Sequence, residues 1–379
     1  MFLGSSEWHT AHEHPITGIP ADAPVPKSNK EPFVISIWYN LDLYYTRFSF
    51  LGKQIMKIAV VGAGFCGLAC AWHFADIAKV VLYDKQCIGA GASGITAGLV
   101  HPYTGPRAQA SWMAHEALAE TKTLLNIASK AQGSPVYSKS GILRPETAGM
   151  DFSQSKHYPD VAFWDAATCQ KHIPELLPLA GLFIHSGLTV DCPSYLQGLW
   201  LACQSKQVVF TQALIEHPSS LSGFDFIIFT VGAGQNQLKE VFHPPVTLIK
   251  GQTLQLEWAN RQLPFAVNAG VQFAQIEKTS VWAGATYERT WTTEQPDQKA
   301  EDHIRKKVAL FSPSFSKLPL KSIWAGFRAA TGDKKPFITH TAPNVYCLGG
   351  MGSKGLLYHA WMAKQLLSCV QKRASLPPC

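Results

Sequence analysis

The sequence predicts an α/β chain, α+β when the whole is counted, in which a doubly wound parallel-sheet domain is interrupted by an antiparallel sheet. Three observations carry this reading. A strand, a glycine loop, a helix and a second strand follow one another from Lys57. A buried apolar run at Phe224–Val231 reads as a later strand of the same sheet, and Val246–Tyr287 alternates as antiparallel strands do. A second glycine-rich turn, Gly349 to Gly355, opens a closing helix near the C-terminus.

Taken in order, Lys57 begins the run IAVVG, the apolar-faced segment Cys66–Ala78 is a helix, and Val80–Tyr83 is a strand. Gly89–Gly98 is a small-residue loop, and Ala108–Ala131, with few breakers, reads as one helix. Ser194–Gln204 and Lys299–Phe311 are helices, Val208–Ile215, Ser322–Arg328 and Val345–Leu348 are strands, and Ser353–Arg373 closes the chain. The expected organisation is an extension at 1–55; parallel-sheet domain parts at 56–135, 192–245 and 322–373; and antiparallel parts at 136–191 and 246–321. No internal repeat is found.

The chain has 379 residues, 46% hydrophobic and 16% charged, which suits two or three folded domains and excludes long disorder or a coiled coil. No apolar run reaches the ~18 residues of a membrane span; Phe33–Leu51 is broken by Asn40, Asp42 and Arg47. Nine cysteines without a CxxC pair fit neither a disulfide framework nor a zinc site, so reduced thiols and a cytoplasmic setting are expected, with no metal. The net charge of +7 suits an anionic ligand, nucleic acid included, and is also ordinary for a surface of this size.

Gly62-Ala63-Gly64-Phe65-Cys66-Gly67 is GxGxxG, placed between strand and helix and answered by Asp84, with Lys85 beside it, at the end of the next strand. The glycines allow a tight turn, the helix start offers free N–H groups to a pyrophosphate, and the carboxylate suits a ribose hydroxyl. Both NAD and FAD fit. The second turn, Gly349-Gly350-Met351-Gly352-Ser353-Lys354-Gly355, favours an extended FAD, because its helix dipole would stabilise charge on a flavin ring. Gly232, after the buried strand, and Ser93, in the small-residue loop, join the expected cofactor set, while Asp225 reads as structural.

With GAGFCG and Asp84, GAGASGITAG at 89–98, GFRAATGDKKPFI at 326–338 and GGMGSKG at 349–355, the chain resembles the D-amino-acid oxidase and glycine oxidase family of FAD-dependent amine oxidoreductases over about residues 56–372. Within it, ASGITAGLVHPY (92–103), SGILRP (140–145), HSGLTVDCPSYL (185–196), KGQTLQL (250–256), GATYER (284–289) and GGMGSKGLL (349–357) resemble the oxidoreductase half of the bifunctional tRNA 5-methylaminomethyl-2-thiouridine biosynthesis enzymes. The chain has no room for the methyltransferase half, and Ile95 and Thr96 depart from the pattern.

The resemblance implies a Rossmann-type FAD domain and oxidation of a C–N bond next to a carboxylate, with hydride passing to flavin N5. The implied substrate is a carboxymethylaminomethyl group on tRNA wobble uridine, or else free glycine or a D-amino acid. Arg328 is the candidate grip on the carboxylate, since its fork pairs bidentately; the alternative is a salt bridge to Asp333. Tyr287 is the second candidate, and both it and Phe273 either wall the pocket or pack in the core. His101 lies near the ring or is a satisfied buried histidine. Arg107, Arg144, Arg289, Lys334, Lys335 and Lys354 are candidates for a basic collar facing tRNA phosphates. A non-catalytic flavin-binding protein would lack such a grip, and Arg328 is present.

Residues 1–55 show no sustained period, and Met56 stands directly before a complete strand and loop. They read as a misassigned upstream extension or as an arm packed on the enzyme. Trimming them leaves 29 basic against 21 acidic side chains. A chain beginning at Met56 is expected to keep non-covalent FAD, released by acid, and to melt within a few degrees of the full-length protein; insolubility of the shorter chain would show that the arm packs.

Overall fold

The computed structural model describes residues 55–374 apart from positions 96, 156, 239, 240, 242 and 260; the segment read as an upstream extension lies, but for its last residue, outside them. The six-stranded sheet is assembled from three separate stretches of chain. Lys57–Val61 is flanked by Lys79–Asp84 on one side and by Phe226–Phe229 on the other, both parallel. Val209–Gln212 extends the first side, and Val345–Gly349 followed by antiparallel Phe337–Ala342 extends the second. Because the strand order runs outward from Lys57–Val61 in both directions, a crevice opens at the carboxyl ends of the central strands.

Alternation buries both faces of this sheet. Ile58 and Val60 face the larger core, built with Leu68, Phe74, Leu125, Leu199 and Leu366. Those side chains come from the helices Phe65–Phe74, Ala114–Gln132, Cys192–Ser205 and Gly355–Ala374. Ala59 and Val61 point to a smaller core with Ile227, Phe229 and Cys347. Asp191 starts the Cys192–Ser205 helix by accepting from the backbone N–H of Ser194 at 3.1 Å, and Pro193 sits in its first turn, where no N–H is needed.

The second sheet has eight strands, and its longest pair is Thr247–Glu257 with Leu320–Ala330, in one register from Thr247↔Ala330 to Gln255↔Ser322 and shifted by a residue at Leu256↔Leu320. Its core gathers Leu254, Phe273, Val281, Phe311 and Phe315 against the helix Gln298–Ala309.

Two expectations are corrected. The strand expected at Ser322–Arg328, grouped with the last part of the parallel-sheet domain, starts at Leu320 and belongs to the eight-stranded sheet, since Ser322 through Ala330 pair residue by residue with Thr247–Glu257. The helix expected from Ala108 starts at Ala114: Ala108 and Met113 take left-handed φ values of 48° and 47°, and Gln109–Ala110 pairs with Tyr103–Thr104. Among the described residues every cysteine is free, and no helix is long and apolar enough to cross a membrane.

Burial pushes the His101 and His359 imidazoles down from 6.5, to about 3 and about 4. On unfolding they regain ordinary values, so below about 6.5 the unfolded chain binds protons that the folded chain refuses. Stability is therefore expected to be full above pH 6.5 and to fall as the pH drops from there toward 4. Replacing His359 with Gln should flatten that slope in denaturant titrations at several pH values.

Candidate functional site

One cleft of about 760 Å³ runs from the carboxyl ends of the parallel strands to the antiparallel sheet. On the parallel-sheet side the first glycine loop is held by its own backbone. Gly62 has φ +104°, and a Cβ there would lie 2.6 Å from the Thr230 carbonyl oxygen. A Cβ on Gly67 would lie 1.7 Å from the Gly62 carbonyl oxygen, so strand, loop and helix pack without room for a methyl group. The Phe65–Phe74 helix has no side-chain cap and no acid in its first turn, and Ser93 Oγ meets the Phe65 N–H at 3.3 Å. Free N–H groups beside a hydroxyl make a donor set that fits an anionic diphosphate.

Of the residues expected to hold cofactor, Gly64, Cys66, Ser93 and Gly232 line the cleft, and so does the whole run Gly349 to Gly355. Gly62, Ala63, Gly67, Asp84 and Lys85 do not line it. Asp84 accepts from the N–H groups of Ala63 (2.8 Å) and Gln86 (2.9 Å), which fixes the loop. Asp225 is structural, accepting from the Lys57 N–H at 2.7 Å. Cys66 carries no reactive thiolate: burial pushes its thiol up to about 12.

The opposite wall carries Arg328. Its strand reaches the second glycine turn through a bridge between Ala330 and Met351. The guanidinium lies across Gly251, where a Cβ would meet Nη2 at 2.2 Å, so a larger residue there would push the fork out of this position. Nη1 donates to the Thr286 carbonyl at 3.2 Å, and among the described residues no carboxylate pairs with it. The proposed salt bridge to Asp333 does not form; Asp333 instead accepts from the Lys335 N–H at 3.1 Å. Burial lowers the Arg328 pKa from 12.5, and the group still stays protonated.

Tyr287 lines the cleft and is 50% exposed. Phe273 does not line it: the ring is fully buried and stacks on Phe315 at 4.7 Å. His101 lines the cleft as a neutral, buried imidazole, with Nε2 3.5 Å from Asn268 Nδ2. Of the expected collar, Arg144, Lys334 and Lys354 line the cleft, whereas Arg107 is exposed and does not. Arg289 lies 5.6 Å from the Tyr287 ring centre and Lys335 5.8 Å from that of Trp112, itself 40% exposed. Sequence reasoning missed Thr230, whose hydroxyl donates to the carbonyls of Val61 and Gly62 (both 2.9 Å), and also Gly251 and Thr286.

Comparison with known proteins places this geometry. Residues 57–368 match the FAD dependent oxidoreductase (DAO) family. The chain is 25% identical over 329 residues to the tRNA 5-methylaminomethyl-2-thiouridine biosynthesis bifunctional protein of Maricaulis maris, covering 82% of this chain and 51% of that protein. It is 27% identical over 340 residues to the protein of the same name from a Caulobacter species, covering 82% and 53%. It thus spans about half the length of these curated relatives. The fold is similar to glycine oxidase from Geobacillus kaustophilus, with TM-score 0.71, 16% identity and coverage of 84% of this chain and 95% of that one. Iminodiacetate oxidase from a Chelativorans species gives TM-score 0.71 at 19% identity, covering 84% and 97%. FAD is the cofactor that the glycine turns and the uncapped helix start accommodate, and the chain belongs to the DAO family of FAD-dependent oxidoreductases.

Proposed function

We propose that this amine oxidoreductase oxidises the C–N bond next to a carboxylate, and that its substrate is the carboxymethylaminomethyl group of a tRNA wobble uridine in the cytoplasm. The observation that carries the reading is Arg328, a guanidinium without an acid among the described residues, in the wall of the cleft that both glycine turns line. A carboxylate entering the cleft completes it as a bidentate pair.

FAD held along the two glycine turns supplies the hydride acceptor. The protein's own part is positioning. Arg328 fixes the carboxylate and, with it, the carbon that bears the nitrogen. Tyr287, half exposed and lining the same cleft, offers an aromatic wall to the substrate. The amine must be neutral for its lone pair to assist, and the buried guanidinium of Arg328, a like charge in the same cleft, disfavours its protonated form.

Support for a nucleic-acid substrate comes from the rim. Lys334 and Lys354 reach the cleft, and burial together with Lys334 lowers the Lys354 pKa from 10.5, as happens where cations gather. The exposed Tyr287 and Trp112 rings, each beside a cation, suit stacked bases and adjoining phosphates. The names of the matched curated relatives agree with this reading.

The test is anaerobic mixing of the yellow protein with glycine, with a D-amino-acid panel and with tRNA from cells lacking this activity. The tRNA should bleach the flavin band, and oxidation should yield glyoxylate and aminomethyl uridine, seen by nucleoside mass analysis. Binding should weaken steeply with salt, by ~0.7–0.9 in log–log slope for each phosphate contact. Rapid turnover of a free amino acid, with tRNA inert at every salt concentration, would move the substrate to that class.

Arg328→Ala should keep its FAD and weaken carboxylate substrates by ~2–5 kcal/mol, the cost of truncating one partner of a buried charge pair. Arg328→Lys should recover only part of this, because a point charge does not fork. Near-normal flavin reduction by Arg328→Ala would place the carboxylate elsewhere.

A further inference from the structure

Behind the wall that carries Arg328 lies a buried polar network that the reaction does not touch. Gly251 faces the cleft, so its neighbours Lys250 and Gln252 point to the opposite face, and both are fully buried. The Lys250 ammonium spends its three donors on the carbonyls of Thr293 (2.9 Å) and Gln295 (2.7 Å) and on Asp297 Oδ2 (3.3 Å). Gln252 donates to Glu288 Oε1 (3.0 Å) and Asp297 Oδ2 (2.9 Å), and its own oxygen accepts from the Asp297 N–H at 2.9 Å.

The network ends on Thr286. Its hydroxyl donates to Glu288 Oε1 at 2.5 Å and accepts from the Gln252 N–H at 2.9 Å, while its own N–H donates to the Gln252 carbonyl at 3.0 Å. Lys250 and Glu288 exchange backbone hydrogen bonds of 3.0 and 2.9 Å. Segment 286–288 is therefore stapled to residues 250–252 by backbone and side chains together. Its Thr286 carbonyl is the protein acceptor of Arg328, and Tyr287 projects from the same segment into the cleft wall.

We propose that Lys250, Gln252, Glu288 and Asp297 are positioning residues: they fix the Thr286 carbonyl and so aim the Arg328 guanidinium at the incoming carboxylate. This rests on the reading of Arg328 as the carboxylate handle. A network serving only to dock the Gln298–Ala309 helix, whose Ala300 N–H Asp297 caps at 3.0 Å, would support folding without affecting carboxylate affinity. A fork binds tightly only when both of its N–H vectors are held in line, so a loosened carbonyl acts through geometry rather than charge.

The test titrates acetate, a bare carboxylate, into the FAD-loaded protein and follows the flavin absorption. Glu288→Leu and Thr286→Val should each weaken acetate by roughly tenfold, the lower end of what losing a supporting partner costs, with flavin content and Tm near wild type. Glu288→Gln, whose amide oxygen still accepts both hydrogen bonds, should stay within about twofold. Wild-type acetate affinity in a flavin-loaded Glu288→Leu or Thr286→Val protein overturns the proposal. Arg328→Ala, measured alongside, separates the two readings. Unchanged acetate binding there overturns the handle itself, whereas binding lost in Arg328→Ala and kept in Glu288→Leu overturns only the network.

Discussion

A guanidinium lodged across a glycine, with one backbone carbonyl as its hydrogen-bond partner among the described residues, is the contact around which the cleft is organised. Charge taken from water must be compensated, and Arg328 has five donors of which the described protein satisfies one. The arrangement is tolerable because the group opens on the cleft, where water or a ligand oxygen completes it. It also dictates its neighbours. Glycine at position 251 lets the fork lie flat in this place, and the flanking residues face the other way. Segment 286–288 must sit close enough to offer a carbonyl. The long pairing of Thr247–Glu257 with Leu320–Ala330 sets the first two, because register fixes which side chains share a face, and the backbone bonds of residues 250–252 to 286–288 set the third.

That wall matters only because the other sheet brings the cofactor loops to meet it. Lys57–Val61, Phe226–Phe229 and Val345–Gly349 come from distant parts of the chain and lie side by side. Their carboxyl ends therefore deliver the first glycine loop, Thr230 with Gly232, and the second glycine turn to one crevice. The chain leaves this sheet to build the eight-stranded one and returns to close it. The bridge from Ala330 to Met351 is where departure and return touch, so the handle strand and the cofactor turn are joined by backbone rather than by mobile side chains.

How far the sequence speaks depends on whether a feature is local. The first glycine loop, its strand and helix, and the later parallel strands were legible because period, glycine spacing and burial act over a few residues. The left-handed residues Ala108 and Met113 were not, since non-glycine residues in that conformation carry no compositional mark, and an alanine-rich stretch reads as helix through them. The partner of Leu320–Ala330 was not legible either: order along the chain placed it with the nearby parallel strands, and only tertiary pairing assigns it to Thr247–Glu257. Lys250 and Gln252 were noticed only as part of a resembling segment. Their hydrogen bonds run to Asp297, Glu288 and the carbonyls near Gln295, and no periodicity announces a contact of that span.

Two arginines in one cleft show why residue type alone does not assign a role. Arg144, almost wholly buried, donates Nη1 to the Tyr103 carbonyl at 2.9 Å and Nη2 to the Gly105 carbonyl at 2.6 Å, and lies 5.1 Å from the Phe152 ring centre. Its fork is committed to the protein on both prongs, which suits a brace for the 103–105 turn. Desolvation brings its pKa down to about 10, and its charge helps to hold nearby His101 neutral. Among the described residues Arg328 makes a single hydrogen bond, and it keeps its second prong for the cleft. A collar read from charge would count the two alike. Counting their hydrogen bonds separates a structural cation from one left open to a ligand, and it is the second that a carboxylate-bearing amine requires.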